Sequence, residues 1–157
     1  MLLTDDDPAV RTCAALGTAD PSAAGILLAA LADPVAVDGW FDEPLPQVDG
    51  WFRFTVLRGL LERAESFEQV LPAALALVPL CGQHTVDLDW GPLLVFAFPE
   101  PHPQGVTLTR AQRAFLAALV EKDSCWGPIA NRDTWLRRAG LPTDRGELRL
   151  LVQTAGE

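Results

Sequence analysis

Asp-Pro dipeptides recur every 13 residues in the first part of the chain, at Asp7-Pro8, Asp20-Pro21 and Asp33-Pro34. An aspartate at the N-cap of a helix accepts a hydrogen bond from a backbone N–H that has no partner within the helix. A proline at the next position lacks the N–H that would go unpaired there. Each dipeptide therefore predicts the start of a helix, and the interval leaves room for a helix of about ten residues and a short turn.

The residues behind the first two dipeptides fit short amphipathic helices. The first helix is predicted over residues 8–16 and ends at Gly17, a residue type common just after a helix C-terminus. The second is predicted over residues 21–31, and four of its apolar side chains share one stripe: Ile26, Leu27, Ala30 and Leu31. Residues 34–50 interrupt this rhythm, and their further prolines and two Asp-Gly turns predict an irregular loop.

The segment from Asp7 to Gly17 reads Asp-Pro-Ala-Val-Arg-Thr-Cys-Ala-Ala-Leu-Gly. This segment resembles the first helix of a HEAT repeat, residues 20–33 are similar to the second helix, and the C-terminal part resembles the end of bacterial HEAT-type proteins. The resemblance implies an all-α fold, a right-handed α-α superhelix (a HEAT-like, armadillo-type solenoid) of about three to four antiparallel helix pairs. It also implies a scaffold or binding surface rather than a catalyst.

Capping residues and apolar spacing predict further helices in the rest of the chain, over about residues 51–64, 66–78, 109–122, 131–140 and 144–152. Their predicted caps are the capping boxes Ser66/Gln69, Thr109/Gln112 and Asp144/Glu147 and the single residue Asn131.

The apolar run 90–98 fits either a buried strand or a buried helix. We favour a short helix, because Pro92 lies near its start and the surrounding segments are predicted helices. At 157 residues the chain is expected to form a single domain. Helical repeats are expected over 1–98, with the loop at 34–50, a proline-rich linker at 99–106 and C-terminal helices over 107–157.

Charge is distributed unevenly along the chain. The net charge is −9, with −11 in residues 1–100 and +2 in residues 101–157. An acidic surface repels phosphate backbones, so we expect no nucleic-acid partner, whereas a basic protein partner is compatible with it. No apolar run approaches the roughly 20 residues of a membrane span, and the acidic N-terminus is unlike a secretory signal. We therefore expect a cytoplasmic protein without a membrane partner.

A repeated Asp-Gly-Trp-Phe unit is the most unusual motif, and it occurs at residues 38–41 and 49–52. Aromatic anchors inside a polar rim are typical of protein-binding hot spots. In that interpretation the binding residues are Asp38, Trp40, Phe41, Asp42, Glu43, Asp49, Trp51 and Phe52. In the other, which the cost of leaving large aromatic side chains in water favours, the loop folds back and its aromatics cover the end of the helical stack.

The sequence shows no clear catalytic or metal-binding motif. His84 lies near Asp87 and Asp89, but no second histidine is close in sequence, so a surface histidine beside solvated acids is the favoured interpretation. The three cysteines are far apart, without the spacing of a zinc site or a disulfide framework. The chain has no phosphate-binding glycine loop and no nucleophile elbow. We therefore expect no enzyme activity, no metal and no cofactor.

The most consistent role is a non-enzymatic protein-protein interaction module or scaffold with an acidic binding surface. An antitoxin- or immunity-type protein that covers a basic partner is one specific form of it. The alternative is a small enzyme or a lyase-like chaperone of a cofactor, with a pocket under the aromatic loop 38–52. The apolar start Met1-Leu2-Leu3 also leaves a homodimer open.

Overall fold

The computed structural model describes residues 2–41, 51–128 and 130–154. These residues form nine α-helices and four short 3₁₀ helices and contain no strand, so the expectation of an all-α protein is confirmed. The chain divides into two compact units, Met1–Ala76 and Leu77–Glu157. No helix of the described ranges is long and apolar enough to cross a membrane.

The first unit contains four α-helices and all but the last residue of a fifth, and it includes each of the Asp-Pro starts. A 3₁₀ turn, Pro21–Ala23, leads into the second helix. The helices are α1 (Pro8–Leu16), α2 (Ala24–Ala30), α3 (Pro34–Asp38), α4 (Phe52–Leu61) and α5 (Phe67–Leu77).

Each Asp-Pro dipeptide caps a helical segment as predicted. The carboxylates of Asp7, Asp20 and Asp33 accept hydrogen bonds from backbone N–H groups two or three residues further on, at distances of 2.8, 2.9 and 3.0 Å. These bonds satisfy N–H groups that the helix leaves without a partner, which contributes about 1 kcal/mol per cap.

The structure corrects the first part of the predicted loop over 34–50, directly after the third dipeptide. Residues 34–38 are helical, because Asp33 caps them and the fully buried Val37 anchors them where α3 packs against α4. A glycine, Gly39, follows at the C-cap. The other end of the predicted loop, residues 42–50, lies outside the described residues.

Helices α1, α2 and α4 pack on one another around a continuous apolar core. Each large side chain removed from water there contributes about 1.5–3 kcal/mol. Five of these side chains are at most 1 % exposed: Leu27, Leu31, Val56, Leu57 and Leu60.

Arg63 follows α4 and holds the end of α1 in place. Its guanidinium donates to the carbonyls of Leu16 at 3.1 Å and of Thr18, and to that of Gly59 at 2.8 Å. The carbonyls of Leu16 and Thr18 lie at the C-terminal end of α1, where backbone acceptors lack helical partners and a positive charge is favourable.

The second unit contains four α-helices, of which α6 packs on α8 and α7 packs on α9. Its fully buried side chains include Trp90 of α6, Phe115 of α7 and Leu148 of α9. The ambiguous run over 90–98 is helical, in agreement with the preference stated above. The helices are α6 (Trp90–Ala97), α7 (Arg110–Glu121), α8 (Ala130–Arg138) and α9 (Arg145–Thr154).

The predicted caps of the later helices have different outcomes. The box at Thr109 and Gln112 forms in full, and Asp144 accepts from the N–H of Glu147 at 2.9 Å. At the α5 start, the hydroxyl of Ser66 accepts from the N–H of Gln69 at 3.4 Å, and the side chain of Gln69 accepts from the N–H of Glu65, one residue before the predicted N-cap.

Asn131 is not a cap, because α8 begins one residue earlier, at Ala130. The Asn131 side chain instead donates to the carboxylate of Asp87 at 2.7 Å. A contact across 44 residues of sequence thus replaces the local bond that the pattern predicted.

The proline-rich segment 99–106 lies inside the second unit, and the division between the units falls at residues 76 and 77. The N–H of His102 donates to the carbonyl of Ala139 at 2.9 Å, and its imidazole donates to the carbonyl of Val106 at 2.9 Å. Gly140 allows this approach, because its φ of 71° is unfavourable for other residues and a Cβ there would meet the His102 backbone.

Candidate functional site

Phe52 lies at the centre of the aromatic residues of the repeated Asp-Gly-Trp-Phe unit. Its ring lies in the first turn of α4 and is only 8 % exposed. The Phe41 ring packs edge-to-face on it with a centroid distance of 5.0 Å, and the Trp40 ring lies at 6.4 Å. Such pairs stabilise by about 0.5–1.5 kcal/mol beyond their burial. Three predicted site residues therefore form one cluster, which we call the aromatic cluster (Trp40, Phe41 and Phe52).

Asp38 forms a nearly buried ion pair with Arg53. The Arg53 guanidinium donates to one carboxylate oxygen, and the backbone N–H of Arg53 donates to the other at 3.0 Å. The two side chains are 8 and 10 % exposed. Asp38 thus links the end of α3 to the start of α4 and is not a solvated rim carboxylate as the binding interpretation expected. Arg53 was missed, because nothing local in the sequence marks it as the partner.

Trp51 and Phe52 are neighbours in sequence with opposite environments. Trp51 is 57 % exposed, and its ring lies 5.6 Å from the Arg53 guanidinium carbon, which also lies 4.6 Å from the ring of Phe54. Both arrangements are of the cation–π type. The structure therefore combines elements of both interpretations, one aromatic in the core and one in solvent. Three other predicted site residues, Asp42, Glu43 and Asp49, lie outside the described residues.

A groove of about 380 Å³ lies between α1, α2 and α3, and Trp40 connects it to the aromatic cluster. Its floor and walls are mostly small or apolar. The remaining lining residues are Pro8, Arg11, Thr12, Gly25, Ile26, Ala29, Ala30, Asp33 and Ala36. The signal for it in the sequence is Gly25 and Ala29, two small residues four positions apart on the exposed side of α2, opposite the buried Leu27 and Leu31.

The first unit is strongly acidic, with 12 acidic and four basic side chains in residues 1–76, a net charge of −8. Three of its four arginines are already bound to groups of the same unit. Arg11 donates to the backbone carbonyls of Asp5 and Asp6, Arg53 pairs with Asp38, and Arg63 holds the end of α1. Arg58 is exposed.

Several carboxylates of the first unit consequently have no arginine partner. Among the residues that the structure describes in this unit, five aspartates form no ion pair: Asp5, Asp6, Asp7, Asp20 and Asp33. Hydrogen bonds from the Ser22 backbone and side chain lower the pKa of Asp20, so this carboxylate is charged at neutral pH. The result is an uncompensated negative surface.

The acids near His84 already accept hydrogen bonds within the second unit. Asp87 accepts from the indole N–H of Trp135 at 2.6 Å and from Asn131, and the fully buried Asp89 accepts from the N–H of Trp90. In the described part of the chain, no three His, Cys, Asp or Glu side chains are grouped as a metal ion would require. The three residues thus do not form the metal site considered for them.

The cysteines differ in exposure, and the thiol of Cys125 is held protonated. Burial, aided by the negative charge of Asp89, raises the pKa of Cys125 to about 12. Cys13 is exposed, and partial desolvation and the nearby Asp7 raise its pKa as well. Neither environment favours the thiolate that nucleophilic catalysis uses.

Comparison of the chain with protein-family models, with curated proteins and with solved structures finds no match.

Proposed function

We propose that the protein is a non-enzymatic protein-binding module whose acidic first unit receives a positively charged protein. The observation that supports this most is the pairing pattern of the first unit. Three of its four arginines bind backbone carbonyls or the nearly buried Asp38, while the carboxylates at the helix starts form no ion pair among the described residues. A surface of this kind attracts a basic partner.

Charge complementarity acts mainly on the rate and selectivity of association. Opposite surface potentials raise the association rate, and like charges exclude acidic competitors. A protein that must cover a basic toxin or nuclease benefits from both effects. The antitoxin or immunity role is therefore the specific form that we propose, in the cytoplasm and without nucleic acid.

We further propose that the first unit is HEAT-like. The support is the Asp-Pro start of α1 and the contacts of α1 with α2 and of α3 with α4, so that two pairs of consecutive helices pack on each other. Nearest-neighbour packing of this kind is how α-solenoids present a binding surface.

Affinity capture from the source cells with three versions of the full chain tests the function. The first is the wild type, and the second is Asp5→Asn/Asp7→Asn/Asp33→Asn, which removes three charges. Asparagine caps helices about as well as aspartate, so folding is retained. The control is Glu100→Gln/Asp144→Asn/Glu147→Gln, which removes three exposed charges from the second unit.

We expect a basic protein in stoichiometric amount with the wild type and the control, and strongly reduced capture with the first-unit variant. Equal capture by both variants would contradict an acidic docking surface. A small molecule retained by the purified protein in native mass spectrometry, with no protein partner captured, would favour the alternative of a cofactor-binding protein instead.

A further inference from the structure

We propose that the groove between α1, α2 and α3 is the docking site for an amphipathic helix of the basic partner, with small apolar residues on one face and lysine or arginine on the flanks. This inference rests on the proposed function, because it assigns a place and a shape to the partner of the first unit.

The shape of the groove fits a helix. A Cβ built on Gly25 would have no atom within 4 Å beyond its chain neighbours and the backbone of its own helix, so the α2 wall is open at this point. Ala29 of α2 and Ala36 of α3 are exposed and also line the groove with small side chains. Small side chains let helices approach to interaxial distances at the short end of about 8–10 Å. Grooves between helices commonly receive the apolar face of another helix.

Trp40 supplies a rigid apolar anchor at one end of this groove. Its ring lies near Phe52, and Phe52 is fixed in the core of the first unit. Trp40 itself is only half-buried, so part of its surface remains available. A half-buried aromatic side chain that is already held in place loses little conformational entropy on binding, which is why such residues dominate binding energies.

Three polar side chains of the groove already form hydrogen bonds within the first unit. The guanidinium of Arg11 donates to two backbone carbonyls, and the hydroxyl of Thr12 donates to the carbonyl of Pro8 at 2.8 Å. Asp33 accepts from the N–H of Ala36. An apolar helix face can therefore cover Thr12 without leaving an unpaired donor, which would cost about 1–3 kcal/mol.

Charge complementarity identifies the flanks of the docking helix. Asp33 lines the groove, and Asp7 precedes the lining residue Pro8. Neither carboxylate has an ion-pair partner within the described residues. Among the described residues that line the groove, Arg11 is the one arginine, and its guanidinium donates to the carbonyls of Asp5 and Asp6. A lysine or arginine on the incoming helix would pair with Asp7 and Asp33, whereas an acidic helix would be repelled.

A synthetic amphipathic helical peptide with a leucine–alanine face and lysine flanks is the probe, and its lysine-to-glutamate counterpart is the peptide control. The full-length ¹⁵N-labelled protein is titrated with each peptide at low ionic strength. We expect saturable shifts at the Trp40 indole and at the backbone amides of Gly25, Ala29 and Ala36 with the lysine peptide alone. The indole of Trp135, in the second unit, serves as an internal reference and should not move.

Ala29→Arg is the decisive variant, because it fills the groove and adds a positive charge there. Ala19→Arg is the matched control, since it makes the same change at an exposed residue that does not line the groove. We expect the peptide to bind Ala29→Arg about tenfold or more weakly than Ala19→Arg, a difference of about 1.4 kcal/mol. If Ala29→Arg fails to fold by circular dichroism, Gly25→Arg replaces it at a position with open space.

The outcomes separate the docking site from the proposed function. If the lysine peptide shifts resonances outside the groove, and the two arginine variants weaken its binding equally, the groove is not the docking site. That result is still compatible with an acidic protein-binding module. No binding of the lysine peptide overturns the groove as a docking site, whereas the proposed function is decided by the affinity capture with the charge variants. A dimer in sedimentation that Ala29→Arg dissociates assigns the groove to a second copy of the chain and overturns the partner helix.

Discussion

Replacing Asp38 by alanine leaves the guanidinium of Arg53 charged and nearly buried, without its carboxylate. In the wild type this side chain is 8 % exposed and its partner 10 %. Removing one partner of a buried ion pair costs about 3–5 kcal/mol, because the remaining charge stays out of water. The loss of the hydrogen bond to the N–H of Arg53 is part of that effect. Since domains of this size are stable by about 5–15 kcal/mol, the change should be large.

Urea unfolding followed by circular dichroism measures this effect. With a slope of about 2 kcal/mol per M urea, the midpoint of Asp38→Ala should fall by about 2 M. Asp6→Ala is the control, because Asp6 is exposed and forms no ion pair among the described residues, so its change should stay within about 0.5 kcal/mol.

The double variant Asp38→Ala/Arg53→Met tests whether the cost of Asp38→Ala comes from the unpaired charge of Arg53. It removes both charges and keeps an apolar side chain beside Phe54, so it should be more stable than Asp38→Ala alone. If Asp38→Ala costs less than about 1 kcal/mol, or if the double variant is the least stable of the set, the ion pair does not join α3 to α4 in the way argued above.

Three further predictions concern packing, thiol reactivity and acid stability. Gly91→Ala should destabilise the second unit by about 1–3 kcal/mol in thermal melts, because the new Cβ would meet the carbonyl of Val86 and lie 2.7 Å from the Trp135 ring; an unchanged melting temperature would contradict this close packing. In native protein at pH 8, a thiol reagent should label the exposed Cys13 and leave the two buried thiols unreacted until urea is added, and rapid labelling of all three would refute their burial. Because hydrogen bonds with Ser22 lower the pKa of Asp20 below the ordinary value of an aspartate, its contribution to stability is present above about pH 4 and is lost as the pH falls through the lowered pKa. Asp20→Asn should therefore lose less stability than the wild type between pH 5 and about pH 2 in urea unfolding, and identical losses would contradict the assignment.

Helix starts were predictable because capping depends on neighbours in sequence. Asp7 and Thr109 cap α1 and α7 through bonds to residues two or three positions away. Asn131 has the same capping chemistry, but Asp87, 44 residues earlier, accepts its amide hydrogen bond. The competing contact could not be inferred from local sequence, because it depends on how the chain folds back.

The candidate site was predicted only in part, because its local motif is visible in the sequence and its distant contacts are not. The repeated Asp-Gly-Trp-Phe unit identified Trp40, Phe41 and Phe52, which the fold brings into one cluster. It did not identify Arg53, because an ion pair across 15 residues has no fixed spacing. The groove was also missed, since its walls are alanine and glycine, which are ordinary on any helix surface.

The sequence by itself determined that the chain is helical, where most of its helices begin, and that the first unit is acidic. Those properties follow from local hydrogen bonding, periodicity and composition. Only the tertiary structure decided that Trp51 faces water while its neighbour Phe52 lies in the core, and that Asp38 is buried while Asp33 lines an open groove. The physical reason is that burial and charge pairing depend on which surfaces meet, and neighbouring residues with the same chemistry can meet different ones.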